Sequence, residues 1–231
     1  MREIVLDTET TGLDPADGHR VLEIGAVEIV HQSLTGKVFH VLINPERDVP
    51  EDAVRVHGHR AEALRDKPVF AAVVADFLAF IGDSNLVIHN AEFDMRFVNA
   101  ELSRLGLAAI GMERVVDTLA IARKKHPGVA NSLDALCDRY RIDRSRRVRH
   151  GALMDAEILV EVYCELMGGR QRSLALGDAG GLAGSQAIVV PARSEPRPPR
   201  PSWLEPEEAA VHARYIETSI VEAIWSRYLP A

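Results

Sequence analysis

An apolar segment near the start of the chain runs directly into two acidic residues, and this junction constrains the fold more than any other feature. Residues 2–7 predict a buried strand that ends at Asp7, and Glu9 follows two positions later. Side chains of a strand alternate between its faces, so both carboxylates are expected on the same side. Two like charges so placed repel each other unless a cation lies between them. The alternative is a strand end with two solvated acids.

The order of the predicted elements indicates an α/β fold. Three strands come first, with a hairpin connection predicted at residues 31–36, and later strands alternate with helices. This order predicts a mixed sheet with helices packed against it. The predicted strands are 2–7, 20–30, 37–43, 85–90 and a weak one near 114–117, and the predicted helices are 67–82, 91–106, 118–125, 131–140 and 152–167.

A change of composition divides the chain into three predicted segments. Residues 1–169 contain all the predicted strands and form the predicted folded domain. Residues 170–201 are rich in Gly, Ser, Ala, Pro and Arg without a sustained apolar period, which predicts a flexible linker. Residues 202–231 regain an amphipathic helical pattern. A lone helix of this kind is either frayed or bound to a partner, because it has nothing of its own to pack against.

The overall composition predicts a soluble protein of the reducing cytoplasm. No apolar run approaches the roughly 18–20 residues that span a bilayer, and the N-terminus lacks the features of a signal peptide. The chain has only two cysteines, Cys137 and Cys164, so a disulfide framework is not expected. The net charge of −7 argues against an electrostatic binder of nucleic acid, unless the acids are concentrated at a metal site.

Two further acids follow apolar elements elsewhere in the chain. In VIHNAEFD a buried strand ends at Asn90, and Asp94 lies in the first turn of the next helix. In RHGALMDAE, His150 precedes a glycine and Asp155 lies in the first turn of the last helix. Each has an ordinary structural explanation, since Asn90 suits a helix N-cap and an acid in a first turn complements the helix dipole.

Taken together, these acids predict a metal site. All four lie at junctions of apolar elements, where α/β sheets place their functional residues, and they are Asp7, Glu9, Asp94 and Asp155. Carboxylate oxygens suit Mg²⁺ or Mn²⁺, and no cluster of cysteine and histidine indicates zinc. His150, five residues before Asp155, supplies a candidate general base.

The three acidic motifs, DTETTGLD, HNAEFD and HGALMDAE, resemble the three exonuclease motifs of the DEDDh superfamily, which has a ribonuclease-H-like fold. Over residues 2–169 the segments IVLDTETTGL, EIGAVE, NSLDALCDRY and HGALMDAEILVEVY resemble, more narrowly, the epsilon (proofreading) subunits of bacterial DNA polymerase III. The resemblance implies 3′→5′ hydrolysis of DNA with release of nucleoside 5′-monophosphates. It also implies two divalent ions held by Asp7, Glu9, Asp94 and Asp155, with His150 activating water.

The resemblance also implies contacts with the 3′ end of single-stranded DNA. His57 and Asp52 are expected to border the terminal nucleotide, and Leu13 to wedge against its base unless it merely anchors its loop. The other implied substrate contacts are Asp7, Glu9, Asn90 and Asp155. Asp117 resembles a family acid but also suits a helix N-cap, and a phosphate-guiding role is expected for Arg144, Arg146, Arg147 and Arg149.

The linker and tail resemble segments that bind replication partners. QRSLAL, with Gln171, Leu174 and Leu176, resembles the short peptide that docks on the sliding clamp, although Leu176 replaces the usual aromatic residue. The tail resembles the segment that anchors epsilon to the polymerase catalytic (alpha) subunit. Tethering by a flexible linker raises the local concentration of the nuclease, toward roughly the mM range for short linkers.

Three alternative functions share part of this sequence pattern. A DEDDh ribonuclease that trims RNA shares the three motifs, but the linker, clamp-like peptide and partner helix favour replication. A phosphatase of the haloacid dehalogenase type ends its strand in Asp-x-Asp, whereas this chain has Glu9 at the second acid. A non-catalytic scaffold is disfavoured by the intact set of acids together with His150.

Overall fold

The first apolar run of the chain forms the central strand of a mixed sheet. The computed structural model describes residues 1–145, 150–169 and 205–219. The central strand, β1, spans Arg2–Thr10 and so extends beyond the predicted end at residue 7. Ile4 and Leu6 pack into one hydrophobic cluster and Val5 into another, because alternate side chains point to opposite faces of the sheet. Helices therefore cover both faces of β1.

The predicted mixed sheet is confirmed. Within the described residues it has five strands in the order β3-β2-β1-β4-β5. β2 is antiparallel to both β1 and β3, whereas β4 is parallel to β1 and β5 is parallel to β4. The carboxyl ends of β1, β4 and β5 therefore meet at one edge of the sheet, where α/β folds build their sites. The other strands are β2 (Val21–Val30), β3 (Ser33–Leu42), β4 (Asn85–Ile88) and β5 (Val115–Asp117).

The connection between β2 and β3 is shorter than the predicted six-residue hairpin loop. It consists of His31 and Gln32 alone, and both have left-handed backbones, with φ of 51° and 63°. Two consecutive left-handed residues match the twist of an antiparallel pair, but they are usually Asn or Gly. The sequence therefore lacks the ordinary signal for this turn.

Helices on the two faces of the sheet account for the two hydrophobic clusters. α3 and α4 pack on the cluster that contains Ile4, and α7 packs on the cluster that contains Val5. Two short helices, α1 and α2, were not predicted, because neither has a sustained apolar period. The helices are α1 (Glu51–His57), α2 (Ala61–Leu64), α3 (Phe70–Ile81), α4 (Ala91–Arg104), α5 (Thr118–Lys125), α6 (Leu133–Tyr140) and α7 (Ala152–Leu166).

The chain divides into two units, at residues 1–176 and 177–231. The described part of the second unit is a helix, α8 (Pro206–Ser219), within the segment where a helix is predicted. The clamp-like residues Gln171, Leu174 and Leu176 lie outside the described residues. Among the described helices, none combines the length and the apolar character that crossing a membrane requires. The two cysteines, Cys137 and Cys164, form no disulfide.

Candidate active site

A glycine of β2, Gly25, lies beside the end of β1. Asp7 is paired with Gly25 across the two strands. A Cβ atom on Gly25 would lie 2.2 Å from both the Ala152 carbonyl carbon and the Leu153 nitrogen, so any side chain there would collide with the backbone of α7. Glycine at this position therefore allows the first turn of α7 to reach the sheet beside Asp7 and Glu9.

That close approach brings one acid of α7 and the preceding histidine to the end of β1. Ligand atoms of Glu9, His150 and Asp155 all lie within 4.8 Å of one another. His150 Nδ1 is 3.1 Å from Asp155 Oδ2, and the His150 backbone N–H donates to the Val56 carbonyl oxygen over 3.3 Å. Glu9 and Asp155 are buried, whereas the His150 side chain is 44% exposed. The ring of the predicted general base is therefore open to solvent, while the buried carboxylate of Asp155 contacts its Nδ1.

The other two predicted metal ligands lie outside that group of three. Asp7 is half-buried, and the alternation of β1 places its side chain on the same face as Glu9. Asp94, from α4, is buried, and its Oδ1 accepts hydrogen bonds from the Thr8 backbone N–H at 3.0 Å and from the Thr8 hydroxyl at 2.7 Å. Burial raises the pKa of Asp94, and the hydrogen bonds from Thr8 oppose that rise.

A cavity of about 640 Å³ borders the end of β1. Of the residues predicted to contact substrate, Glu9, Leu13, Asp52 and His57 line it. Leu13 is 80% exposed, so it does not anchor its loop in the core. Asp52 is exposed and forms an ion pair with Arg55. Further lining residues, to which sequence analysis assigned no role, include Thr11, His19, Pro50, Val56 and Phe93.

The histidine that lines this cavity is buried and held by its neighbour. His57 is 5% exposed, its Nδ1 accepts from the His59 backbone N–H over 3.0 Å, and the two rings stack with centroids 5.3 Å apart. Burial, followed by repulsion from His59, lowers the pKa of His57 to about 4. His57 is therefore a neutral ring at neutral pH.

Asn90 lies apart from the cavity that contains Leu13. Its backbone is left-handed (φ 65°), and its side chain makes no capping hydrogen bond to α4, contrary to the N-cap alternative. Its N–H donates to Asp117 Oδ1 over 3.1 Å, and the same oxygen accepts from the Leu119 N–H over 2.9 Å. Asp117 is thus the N-cap of α5. Asn90 lines a second cavity of about 660 Å³, together with His89, Arg123 and Asn131.

The arginine segment before His150 is only partly described, and its first member has a structural role. Arg144 forms ion pairs with Asp134 at 2.6 Å and with Asp138 at 2.7 Å, both on α6. These ion pairs give Arg144 a structural role on α6, and the phosphate-guiding role expected for this residue stays a prediction. Arg146, Arg147 and Arg149 lie outside the described residues.

Comparison with known proteins identifies the family. A family model described as exonuclease matches residues 4–163. The chain is 55% identical over 181 residues to the DNA polymerase III subunit epsilon of Rickettsia felis, covering 77% of this chain and 79% of that protein. It is 50% identical over 186 residues to the corresponding subunit of Escherichia coli K12, covering 78% and 76%. The chain belongs to the exonuclease family, among the epsilon subunits of DNA polymerase III.

Solved structures agree with the fold. A structure of Exonuclease X in complex with 5′ overhanging duplex DNA matches with a TM-score of 0.56 and 24% identity, over 71% of this chain and 90% of that one. At this level of identity the match concerns the fold alone. It confirms the predicted ribonuclease-H-like architecture of the exonuclease domain.

The donor set at the end of β1 fits divalent cations. Members of the exonuclease family use divalent metals. Glu9 and Asp155 are buried carboxylates whose oxygens lie within 4.8 Å of each other and of a His150 nitrogen. Two buried acids so close together repel unless positive charge is present, and hard oxygen donors suit Mg²⁺ or Mn²⁺.

Proposed function

We propose that this chain removes nucleotides from the 3′ end of DNA by phosphodiester hydrolysis, as the proofreading subunit of a bacterial DNA polymerase III. The observation that carries the proposal is the convergence of Glu9, His150 and Asp155 beside the cavity that contains Leu13. Membership of the exonuclease family, and 50–55% identity to epsilon subunits, support the same activity. The product is a nucleoside 5′-monophosphate.

Four carboxylates are proposed to hold two divalent cations, Mg²⁺ or Mn²⁺. They are Asp7, Glu9, Asp94 and Asp155. When bound, such cations lower the pKa of the attacking water and stabilise the departing 3′ oxygen. The close approach of Glu9 and Asp155, which would otherwise repel, supports this assignment.

His150 is proposed to accept the proton of the attacking water. If Nδ1 donates its hydrogen to Asp155, the proton acceptor is Nε2. The hydrogen bond also fixes the ring orientation and stabilises the imidazolium that forms when the proton arrives. The exposure of the ring gives Nε2 access to water at the mouth of the site.

The cavity beside β1 is proposed to bind the terminal nucleotide. Its volume of about 640 Å³ lies within the range of roughly 300–1,000 Å³ typical of ligand sites. Leu13, Val56 and Phe93 offer apolar surface to an unpaired base, and the neutral His57 ring adds no charge there. Asp52 and the acids of β1 complete the proposed substrate contacts, whereas a contact through Asn90 would require substrate to reach the second cavity.

The C-terminal segment is proposed to bind the polymerase catalytic (alpha) subunit. Val211 and Tyr215 of α8 are 70% and 58% exposed, and their spacing of four residues places them on one face of the helix. Exposed apolar side chains on one helical face suit a partner surface. Residues 170–201 are proposed as the linker, with clamp binding through Gln171, Leu174 and Leu176; this part of the proposal depends on the sequence alone.

Digestion of 3′-labelled single-stranded DNA and RNA, with and without Mg²⁺ or Mn²⁺, tests the activity. We expect metal-dependent release of nucleotides from DNA by the wild type, and loss of release in Asp7→Ala. Absence of metal-dependent release by the wild type would contradict the proposal. Faster degradation of RNA than of DNA would instead assign the chain to the RNA-trimming members of the superfamily.

Binding of the tail is tested by pull-down of the purified polymerase catalytic subunit with the full chain. Val211→Glu should abolish capture, because a charge would be placed in an apolar contact. Ala213→Glu is the matched control, since it makes the same change of charge at an exposed position on the opposite face of the same helix. Equal capture by both variants would contradict the proposed surface.

A further inference from the structure

A buried acid outside the proposed metal ligands lies directly beside the active site. Glu23, on β2, is paired with Glu9 in the antiparallel register, so the two side chains project from the same face of the sheet. Glu23 is 4% exposed. It does not belong to the group formed by Glu9, His150 and Asp155.

Three hydrogen-bond donors surround this carboxylate, and each comes from a different element. His40 Nε2, on β3, lies 2.8 Å from Glu23 Oε1, and His59 Nε2, in the loop after α1, lies 2.9 Å from Oε2. The backbone N–H of Ala152, the first residue of α7, also faces Glu23 and helps to lower the pKa of its carboxyl. Each oxygen therefore has its own imidazole partner, and the start of α7 is tied to the same group.

The contacts keep the acid charged despite its burial. Burial alone would raise the pKa of Glu23, but hydrogen bonds from His59 and His40 outweigh that effect and hold the pKa below its ordinary value. Hydrogen bonds to an ionised group are stronger than those between neutral groups. The carboxylate therefore joins its three partners more firmly than a neutral side chain would.

Two of these partners lead directly to residues of the proposed active site. Ala152 stands two residues after His150 and three before Asp155, so a contact at its N–H fixes the start of α7 between these two residues. The His59 backbone N–H donates to His57, which lines the nucleotide cavity. Glu23 thus connects the general base and the cavity wall to the strand beside β1.

We propose that Glu23 is a positioning residue for the exonuclease reaction, which holds the start of α7, through Ala152, and the loop after α1, through His59, in register with Glu9. The proposal rests on the proposed exonuclease activity. Glu23 itself touches neither the substrate nor the metal ions. It acts through the placement of His150 and Asp155 relative to Glu9.

The chain contains a matched control for this residue. Glu28 lies on the same strand, is 3% exposed, and is also held by hydrogen bonds, from Arg2, Thr35 and Lys37. It is five residues from Glu23, about 17 Å along the strand. Removal of the Glu28 carboxylate therefore disturbs a buried, paired acid of β2 without touching α7 or the His59 loop.

The test compares Glu23→Ala, Glu23→Gln and Glu28→Ala in the full chain, with thermal unfolding and kcat on 3′-labelled single-stranded DNA measured at a temperature where all are folded. Both alanine variants should lower the unfolding temperature. Only Glu23→Ala should lower kcat markedly, by roughly 10–100-fold, the range typical when a partner that orients a functional residue is removed. Glu23→Gln should recover much of the loss, because an amide can still contact both histidines.

The measurements distinguish failure of the positioning role from failure of the proposed exonuclease activity. If the wild type shows no metal-dependent nuclease activity, both proposals fail together. If the wild type is active and Glu23→Ala retains the kcat of Glu28→Ala, only the positioning role fails. If Glu23→Ala does not fold, His59→Ala replaces it in the test, because it removes one hydrogen-bond donor to Glu23 at a half-buried loop position. An unchanged kcat in His59→Ala would likewise overturn the proposal.

Discussion

Nδ1 of His150 lies 3.1 Å from Oδ2 of Asp155, and this contact joins an exposed ring, the proposed general base, to a buried acid of α7. The same acid belongs to the group that includes Glu9. Asp155 therefore serves two functions in the proposed site, since it holds the base and contributes a metal-binding oxygen. The geometry explains why a histidine outside the helix can be fixed although its ring is open to solvent.

The first prediction concerns the general base itself. His150→Ala should lower kcat by about 10²–10⁴-fold, the contribution typical of a general base. Stability should change little, because the side chain is 44% exposed. His212→Ala, which removes an exposed histidine from α8, is the control and should retain full activity. Equal kcat for His150→Ala and wild type would exclude His150 as the base.

The second prediction concerns the hydrogen bonds that Thr8 gives to Asp94. Thr8→Val removes the 2.7 Å hydroxyl contact but keeps the shape of the side chain. Because that contact opposes the rise that burial imposes, its loss should raise the pKa of Asp94 further. The carboxyl of Asp94 then stays protonated to a higher pH. The variant should therefore need a higher Mg²⁺ concentration for activity, and its pH–activity profile should be shifted to higher pH relative to the wild type.

Measurement of activity against Mg²⁺ concentration at several pH values checks this expectation. Thr8→Ser keeps the hydroxyl and serves as the control, with a pH profile close to that of the wild type. A Thr8→Val profile that coincides with the wild type at every Mg²⁺ concentration would show that the hydroxyl does not tune Asp94.

Sequence patterns predicted the parts of the molecule that depend on local periodicity. The apolar runs located β1, β2 and β4, since alternation and burial act over a few residues. The short helices α1 and α2 gave no such signal, because they have too few turns to form an apolar stripe. The hairpin between β2 and β3 was predicted, but its loop was predicted too long, because His31 and Gln32 are unusual residue types for a left-handed backbone.

Contacts that depend on strand register could not be found from the sequence. Glu23 meets His40 and His59 only because β2, β3 and the loop after α1 are brought together by the fold. Likewise, nothing adjacent to Gly25 in sequence indicates that α7 will cross the sheet there. Side chains from separate elements converge through packing, and packing is not encoded in the spacing of any single segment.

The third prediction concerns the contact between Gly25 and the backbone of α7. Gly25→Ala should destabilise the chain by about 1–3 kcal/mol or more, because the new methyl group would overlap the α7 backbone, which cannot move aside as a side chain would. Displacement of α7 should also lower nuclease activity. Gly151→Ala is the control for stability, since a Cβ there meets no atom within 4 Å and the backbone is extended. Urea unfolding of both variants distinguishes the two positions.

The last prediction is a dependence of stability on pH that arises from His57. Its pKa of about 4 lies below the ordinary value of 6.5, so the unfolded chain binds a proton more readily than the folded one. The contribution of His57 to the free energy of unfolding is therefore fully present above pH 6.5 and is lost as the pH falls toward 4. Between pH 7 and pH 5 the loss should be about 2 kcal/mol for this residue.

Urea unfolding of the wild type and of His57→Phe at both pH values isolates the contribution of His57. The substitution keeps a buried aromatic ring but removes the titrating group, so the free energy of unfolding should fall less in the variant between pH 7 and pH 5. The lowered pKa values of His89 and His126 act in the same direction and remain in both chains, so they cancel in the difference. An identical pH dependence in the two chains would mean that His57 titrates alike when folded and unfolded, and that burial in the cavity wall does not keep it neutral.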